Sequence, residues 1–158
     1  MKPRPLFDSH LHIIDPRFPL VENDGYLPPP FTVSDYRART AAWPLVGGAI
    51  VSGSFQAFDQ SYLLAALRAL GERFVGVTQL PPTVSDDEVL ALAAAGVRGV
   101  RFNLRRGGSA AAADIGAMAA RFHELAGWHA ELYVDAAELD DLRRTLLELP
   151  AVCIAHLG

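Results

Sequence analysis

The stretch Gly48-Ala49-Ile50-Val51-Ser52-Gly53-Ser54 decides the fold. It is a short, continuous apolar run that ends on two hydroxyls. Without polar alternation, such a run suits a strand buried on both faces, as in a parallel sheet. The flanking sequence repeats the unit. Gln60 to Leu70 reads as an amphipathic helix closed by Gly71, and Phe74 to Gln79 as the next strand. A helix from Asp86 to Ala95 is capped by Gly96 and followed by a strand from Val97 to Phe102. After Gly107-Gly108 a helix runs from Ala111 to Ala126 and stops at Gly127. Ala130 to Val134 is a strand, Glu138 to Glu148 a helix ended by Pro150, and Ala151 to Ala155 a last strand. Upstream, Phe7-Asp8-Ser9-His10-Leu11-His12 supplies the first strand. The stretch from Asp15 to Leu27 is long and irregular and ends in Pro28-Pro29-Pro30, which neither a helix nor a central strand tolerates. Loops this long inside a compact domain are usually functional. Thr32-Val33-Ser34-Asp35 then reads as a helix start.

About six strands alternating with helices predict a parallel sheet covered on both faces. Two architectures fit, an open doubly wound sheet and a (β/α)8 TIM barrel. Polar residues close nearly every strand: His10 and His12, Ser52 and Ser54, Gln79, Arg101 and Asn103, Tyr133 and Asp135, and His156. A barrel builds its site from such a rim, whereas an open sheet gathers it at one switch point. No glycine-rich phosphate fingerprint follows the first strand, and the barrel is the expectation. A complete barrel needs eight strands and roughly 200–250 residues. The expectation for residues 1–158 is therefore a single α/β domain, a TIM barrel truncated after about six parallel strands, with strands seven and eight absent. An open apolar edge such as Val152 to Ala155 invites pairing, so oligomers through exposed strand edges are possible partners.

Composition narrows the function. With 51% hydrophobic residues the chain can fill one core, and a net charge of -4 without a basic stripe speaks against nucleic acid. The lone Cys153 excludes a disulfide framework and a thiolate zinc site, and its apolar run predicts a buried, inert thiol. Met1-Lys2-Pro3-Arg4-Pro5 lacks a signal-peptide core and no apolar run approaches the roughly 20 residues of a membrane span, making the cytoplasm the default compartment.

The chemistry concentrates in a few residues. On a regular strand Asp8, His10 and His12 share one face. Two imidazoles side by side at a strand end can bind one metal ion or polarise one carbonyl oxygen. His156 ends a strand; alone it would more often be a packed residue than a catalyst, but on a barrel it joins His10 and His12 at one rim. His123, within a helix, and His129, at a strand's start, read as structural. Arg101 shares a strand face with Asn103, and Arg105 and Arg106 follow. A buried guanidinium either awaits a substrate carboxylate or pairs with a structural acid such as Asp15 or Asp135. Ser54 and Tyr133 offer hydroxyls, and Tyr26 sits where the long loop could fold over the mouth. Val51-Ser52-Gly53-Ser54-Phe55 is no nucleophile elbow.

Asp8-Ser9-His10-Leu11-His12, Gly99-Val100-Arg101-Phe102-Asn103 and Ile154-Ala155-His156-Leu157-Gly158 together resemble the amidohydrolase superfamily. The resemblance is to its amidohydrolase-related group of TIM-barrel metal-dependent hydrolases, and within that to the 2-pyrone-4,6-dicarboxylate lactonase branch. It implies that His10, His12 and His156 polarise a lactone carbonyl or hold one divalent metal, zinc or manganese; members with and without a metal occur. Ser54, Arg101, Arg106, Tyr133 and Tyr26 would match contacts to the carboxylates of a small acidic substrate. The general base would be an aspartate on an eighth strand, and Ala155 stands where relatives often carry an acid. The implied reaction is attack of water on a lactone carbonyl with the histidines stabilising the oxyanion. The rivals are a metal-dependent decarboxylase of the same superfamily and an inactive barrel fragment.

Overall fold

The computed structural model describes residues 4–23 and 25–157. Met1-Lys2-Pro3, Asp24 in the long loop and Gly158 of the closing motif lie outside the described residues. Six strands form one sheet: β1 (Leu6–Leu11), β2 (Leu45–Val51), β3 (Phe74–Thr78), β4 (Val97–Asn103), β5 (His129–Tyr133) and β6 (Val152–Ile154). Their spatial order is β1-β2-β3-β4-β5-β6, and every neighbouring pair is parallel. An open doubly wound sheet reverses its order at a switch point. Here the order never reverses, and the sheet curls as the greater part of a (β/α)8 barrel. The crossovers carry α1 (Val33–Thr40), α2 (Ser61–Leu70), α3 (Asp86–Ala94), α4 (Ile115–Ala126) and α5 (Leu139–Glu148). Among the described residues no helix is long and apolar enough to cross a membrane.

Two apolar layers hold the sheet. Outside, Ile50, Val100, Phe102 and Leu132 of the strands pack against Leu63, Val89 and Phe122 of the helices. The α4 residues Ile115, Met118, Ala119 and Phe122 recur at helical spacing and are all buried. Each large side chain so buried contributes about 1.5–3 kcal/mol. Inside the curl, Ala49, Val51, Val75 and Val77 make a second, smaller cluster. Above it the interior turns polar, and there the site begins.

Helix starts follow the sequence closely. At α3 the Ser85 hydroxyl accepts from the Glu88 backbone N–H at 3.3 Å, while Glu88 Oε2 accepts from the Ser85 N–H at 3.0 Å. Thr32 and Asp35 form the same reciprocal cap at α1. Ser85→Ala will lower stability by about 1 kcal/mol. A urea midpoint indistinguishable from the parent's would show that the cap contributes nothing.

The structure corrects four expectations. Asp8 pairs with Gly48 and Leu11 with Ile50, three steps of β1 against two of β2, so a bulge lies between them. The bulge puts Asp8 on the helix side, where its Oδ2 accepts from the Tyr36 hydroxyl at 3.1 Å, and leaves His10 facing inward. Asp8 therefore does not share a face with His10 and His12. The strand through Val51 ends earlier than expected: Ser54 opens a one-turn 3-10 helix, Ser54–Gln56, and the N–H of the preceding cap residue Gly53 donates to Gln56 Oε1 at 2.6 Å. The last strand spans Val152–Ile154 only, with all three residues exposed, because β6 is a sheet edge. For the same reason Cys153 is exposed rather than buried.

Candidate active site

The strand ends meet the long β1–α1 loop around a cleft of about 730 Å³. His12, Ser54, Arg101, Arg106, Tyr133 and His156 line it, and Tyr26 reaches it from the loop. All five expected substrate contacts thus converge on one cavity. Tyr26 is carried there by a turn, Asn23 and Tyr26 exchanging backbone hydrogen bonds at 2.9 and 3.1 Å. The loop is anchored at both rims: Val21 N–H donates to Phe55 O at 2.8 Å, and Asn23 Nδ2 to Arg106 O at 2.9 Å. Arg106 is set in turn by its N–H donating to Asn103 Oδ1 at 3.1 Å.

The three histidines form one cluster. Ring centroids of His10 lie 5.0 Å from those of both His12 and His156, with edge-on geometry. His156 takes a left-handed backbone (φ 62) just after β6, which turns its ring against Tyr133, centroid to centroid 4.5 Å. A non-glycine residue in that region is strained, a recurrent feature of functional sites. His12 Nδ1 lies 2.7 Å from Val51 O, so it donates there and leaves Nε2 as an acceptor toward the cleft. His10 lies deeper. Its Nε2 is 3.3 Å from Arg101 Nη1 and its Nδ1 is 3.7 Å from Glu131 Oε1.

Burial pushes His10 down to about 3, helped by the charge of Arg101 and by His12 and His156. Burial also lowers His12, opposed by its bond to Val51, and His156, with Arg101 and Arg106 adding to the effect. All three imidazoles are neutral at physiological pH, the state in which they accept protons or hydrogen bonds.

Arg101 is 2% exposed and Glu131 4%. Glu131 Oε1 stands 3.3 Å from Arg101 Nη1. Burial weakens ionisation of both, lowering the arginine and raising the acid, and each charge partly restores the other. Neither acid expected as partner of Arg101 reaches it: Asp15 bonds Arg17, and Asp135 caps the turn at Ala137 and lies 3.7 Å from Arg105. Glu131 was the residue missed. The signal was present, since Glu131 lies two residues before Tyr133 and so faces inward with it, opposite Arg101 in the β4–β5 register. Other rim residues have structural duties. Ser52 bonds the Tyr62 hydroxyl at 2.6 Å, and the Gln79 amide donates to Gly53 O and Ala57 O. His123 bonds Trp128 O, and the His129 ring lies where a Cβ on Gly99 would fall, so both histidines stay outside the site.

The donor set does not fit a divalent metal. An arginine only donates, so its contact at His10 Nε2 occupies the lone pair a metal would need, and it adds a positive charge there. Among the described residues no three His, Cys, Asp or Glu side chains converge as ligands.

A curated 2-pyrone-4,6-dicarboxylate hydrolase of Comamonas testosteroni is 28% identical over 156 residues, 96% of this chain and 51% of its own length. A 4-sulfomuconolactone hydrolase of Rhizobium radiobacter is 29% identical over 134 residues, 82% of this chain and 43% of its own. The crystal structure of a probable 2-pyrone-4,6-dicarboxylic acid hydrolase of Acinetobacter baumannii, with citric acid bound, superposes with a TM-score of 0.84 at 26% identity, over 96% of this chain and 58% of that one. The chain spans about half the length of the curated relatives it matches. The sequence profile of the amidohydrolase family matches residues 7–158, and the chain belongs to that family.

Proposed function

We propose that this cleft hydrolyses the lactone ring of a small carboxylated substrate. One observation carries the reading: Arg101 lines the cleft, is almost wholly buried, and has a buried Nε without a hydrogen-bond partner among the described residues. A buried donor on a permanent charge is costly unless a ligand oxygen completes it. A carboxylate meets a guanidinium through two parallel bonds and suits that vacancy. Arg106, with the hydroxyls of Ser54, Tyr133 and Tyr26, surrounds the remaining volume with donors for a second anionic group. The names of both curated relatives denote anionic substrates, a dicarboxylate and a sulfonated lactone.

In this reading the neutral imidazoles face the carbonyl that water attacks. His12 and His156 flank the position where the oxyanion develops, and Arg101 supplies the positive charge that stabilises it. Among the described residues no carboxylate lines the cleft. The base that takes the proton from water is assigned, by the resemblance, to an aspartate on an eighth strand. A small acidic molecule is the proposed partner.

The test is hydrolysis of 2-pyrone-4,6-dicarboxylate, followed by loss of ring absorbance, with and without zinc or manganese. It uses the 158-residue chain and a chimera completed with the last two βα units of a relative. The chimera will turn over the dicarboxylate without added metal. Arg106→Ala in it will raise KM roughly tenfold, the loss expected for one charged hydrogen bond at a half-open rim. Turnover of uncharged lactones in preference to carboxylated ones, or zinc-dependent decarboxylation in place of hydrolysis, would refute the reading.

A further inference from the structure

Glu131 belongs to none of the groups assigned so far. It sits in the middle of β5, level with Arg101 across the β4–β5 register, and does not line the cleft. Its Oε1 is buried and lacks a hydrogen bond of ordinary geometry among the described residues. It has instead two charged or polar neighbours, Arg101 Nη1 at 3.3 Å and His10 Nδ1 at 3.7 Å. A buried carboxylate with so poor a hydrogen-bond set is expensive as a stability device, because a well-packed apolar side chain would be as good or better. Its position, against His10 and against Arg101, which lines the cleft, suggests another duty.

The contacts fix a protonation pattern. Arginine has only donors, so the Arg101 Nη1 contact at 3.3 Å requires His10 Nε2 to be the acceptor. A neutral imidazole whose Nε2 accepts carries its proton on Nδ1. That N–H then faces the Glu131 carboxylate, the one charge that favours it. The same Nη1 stands 3.3 Å from both Glu131 Oε1 and His10 Nε2, while Nε, buried and without a partner among the described residues, is left for a ligand.

We propose that Glu131 is a positioning residue: from below the cleft it holds His10 as the Nδ1–H tautomer and, with His10, fixes the Arg101 guanidinium in the orientation that meets an anionic substrate. Its relevance to turnover rests on the lactone-hydrolase reading, but the tautomer and the orientation do not. Glu131 does not line the cleft and acts through its two neighbours. Its role parallels that of the carboxylates that orient catalytic or metal-bound imidazoles elsewhere, where loss of such a partner costs about 10- to 100-fold.

Two measurements on different footings test it. In the 158-residue chain labelled with 15N-histidine, long-range 1H–15N correlation at pH 8 reads the tautomer of each neutral ring, with His10 assigned by its loss in His10→Gln. The parent will show His10 protonated on Nδ1, and Glu131→Met will shift it toward a mixture. A parent ring protonated on Nε2, or a tautomer unchanged in Glu131→Met, overturns the proposal. The parent measurement decides even if Glu131→Met fails to fold. The second measurement is kinetic, in the barrel-completed chimera. Glu131→Gln keeps the volume and removes the charge beneath Arg101, so an incoming anion meets a less neutralised guanidinium. Its kcat will fall about 10- to 100-fold while KM stays level or drops. A parallel loss in both constants, or none in kcat, points to a merely structural role and overturns the proposal. If the parent chimera turns over no lactone while the tautomer is as stated, the lactone-hydrolase reading fails and the positioning of His10 by Glu131 stands.

Discussion

Arg101→Met will destabilise the folded chain by about 3–5 kcal/mol, a large share of the 5–15 kcal/mol that holds an ordinary domain together. The guanidinium and the Glu131 carboxylate are 2% and 6% exposed as side chains and stand 3.3 Å apart. Removing the arginine leaves a carboxylate that water cannot reach and no cation opposes. The vacated His10 Nε2 loses its donor as well. The loss has a pH signature. Burial already raises the Glu131 carboxyl, with Arg101 pulling it back. Without that pull the acid escapes its penalty by taking a proton, so the variant will be less impaired at pH 5 than at pH 8. Arg101→Met combined with Glu131→Met will recover most of the loss, because two apolar side chains of similar volume replace the pair. Urea unfolding of the parent, both single variants and the double variant measures this directly. A coupling of about 2 kcal/mol or more is expected for side chains in contact. Single losses below 1 kcal/mol that simply add would mean that the two charges are solvated and the interior is not as drawn.

That result also bears on why the site was only partly legible in the sequence. The barrel could be read because its signal is local: apolar runs, helix caps and glycine stops recur in each unit, and the polar residue closing each strand marks the rim. His10, His12, Arg101, Tyr133 and His156 were found in this way, and the structure gathers them. What escaped depends on registry between strands or on what lies beside them. Asp8 was placed with the histidines because a regular strand alternates, and one bulge in β1 breaks that alternation. The apolar neighbours of Cys153 predict burial, yet burial on β6 depends on what pairs with that edge. Glu131 was hidden differently. A charged residue inside an apolar strand looks like a solvated face until the facing residue is known, and here that residue is Arg101. Each miss is a fact about a neighbouring strand, which periodicity along one segment does not contain.

The stability of this chain will fall as pH drops from 6.5 to 5, a range in which ordinary carboxylates scarcely titrate. The sign follows from the imidazoles. His10 falls from 6.5 to about 3 on folding, through burial first and the Arg101 charge next. Its unfolded form therefore takes up a proton below 6.5 that the folded form refuses. The stabilisation is complete above pH 6.5 and is lost progressively toward 3. At 1.36 kcal/mol per pH unit the loss from His10 reaches about 1–2 kcal/mol by pH 5, allowing for a ring that is one-quarter exposed. His12, His156 and His129 are lowered as well, chiefly by burial, and act in the same direction. The carboxylates that folding lowers, Asp15, Asp35 and Glu88, start from 3.8 to 4.5 and weaken the fold only below that range. Glu131 is raised by burial and opposes the trend as it takes up its proton, which makes the upper part of the window the cleanest. Urea midpoints at pH 7.5, 6.5, 5.5 and 5.0 will show the decline, and His10→Gln will flatten it by the share of that ring. A midpoint constant from pH 7.5 to 5 would mean that the histidines are free to charge in the folded state. The neutral acceptors on which the proposed carbonyl chemistry depends would then be absent.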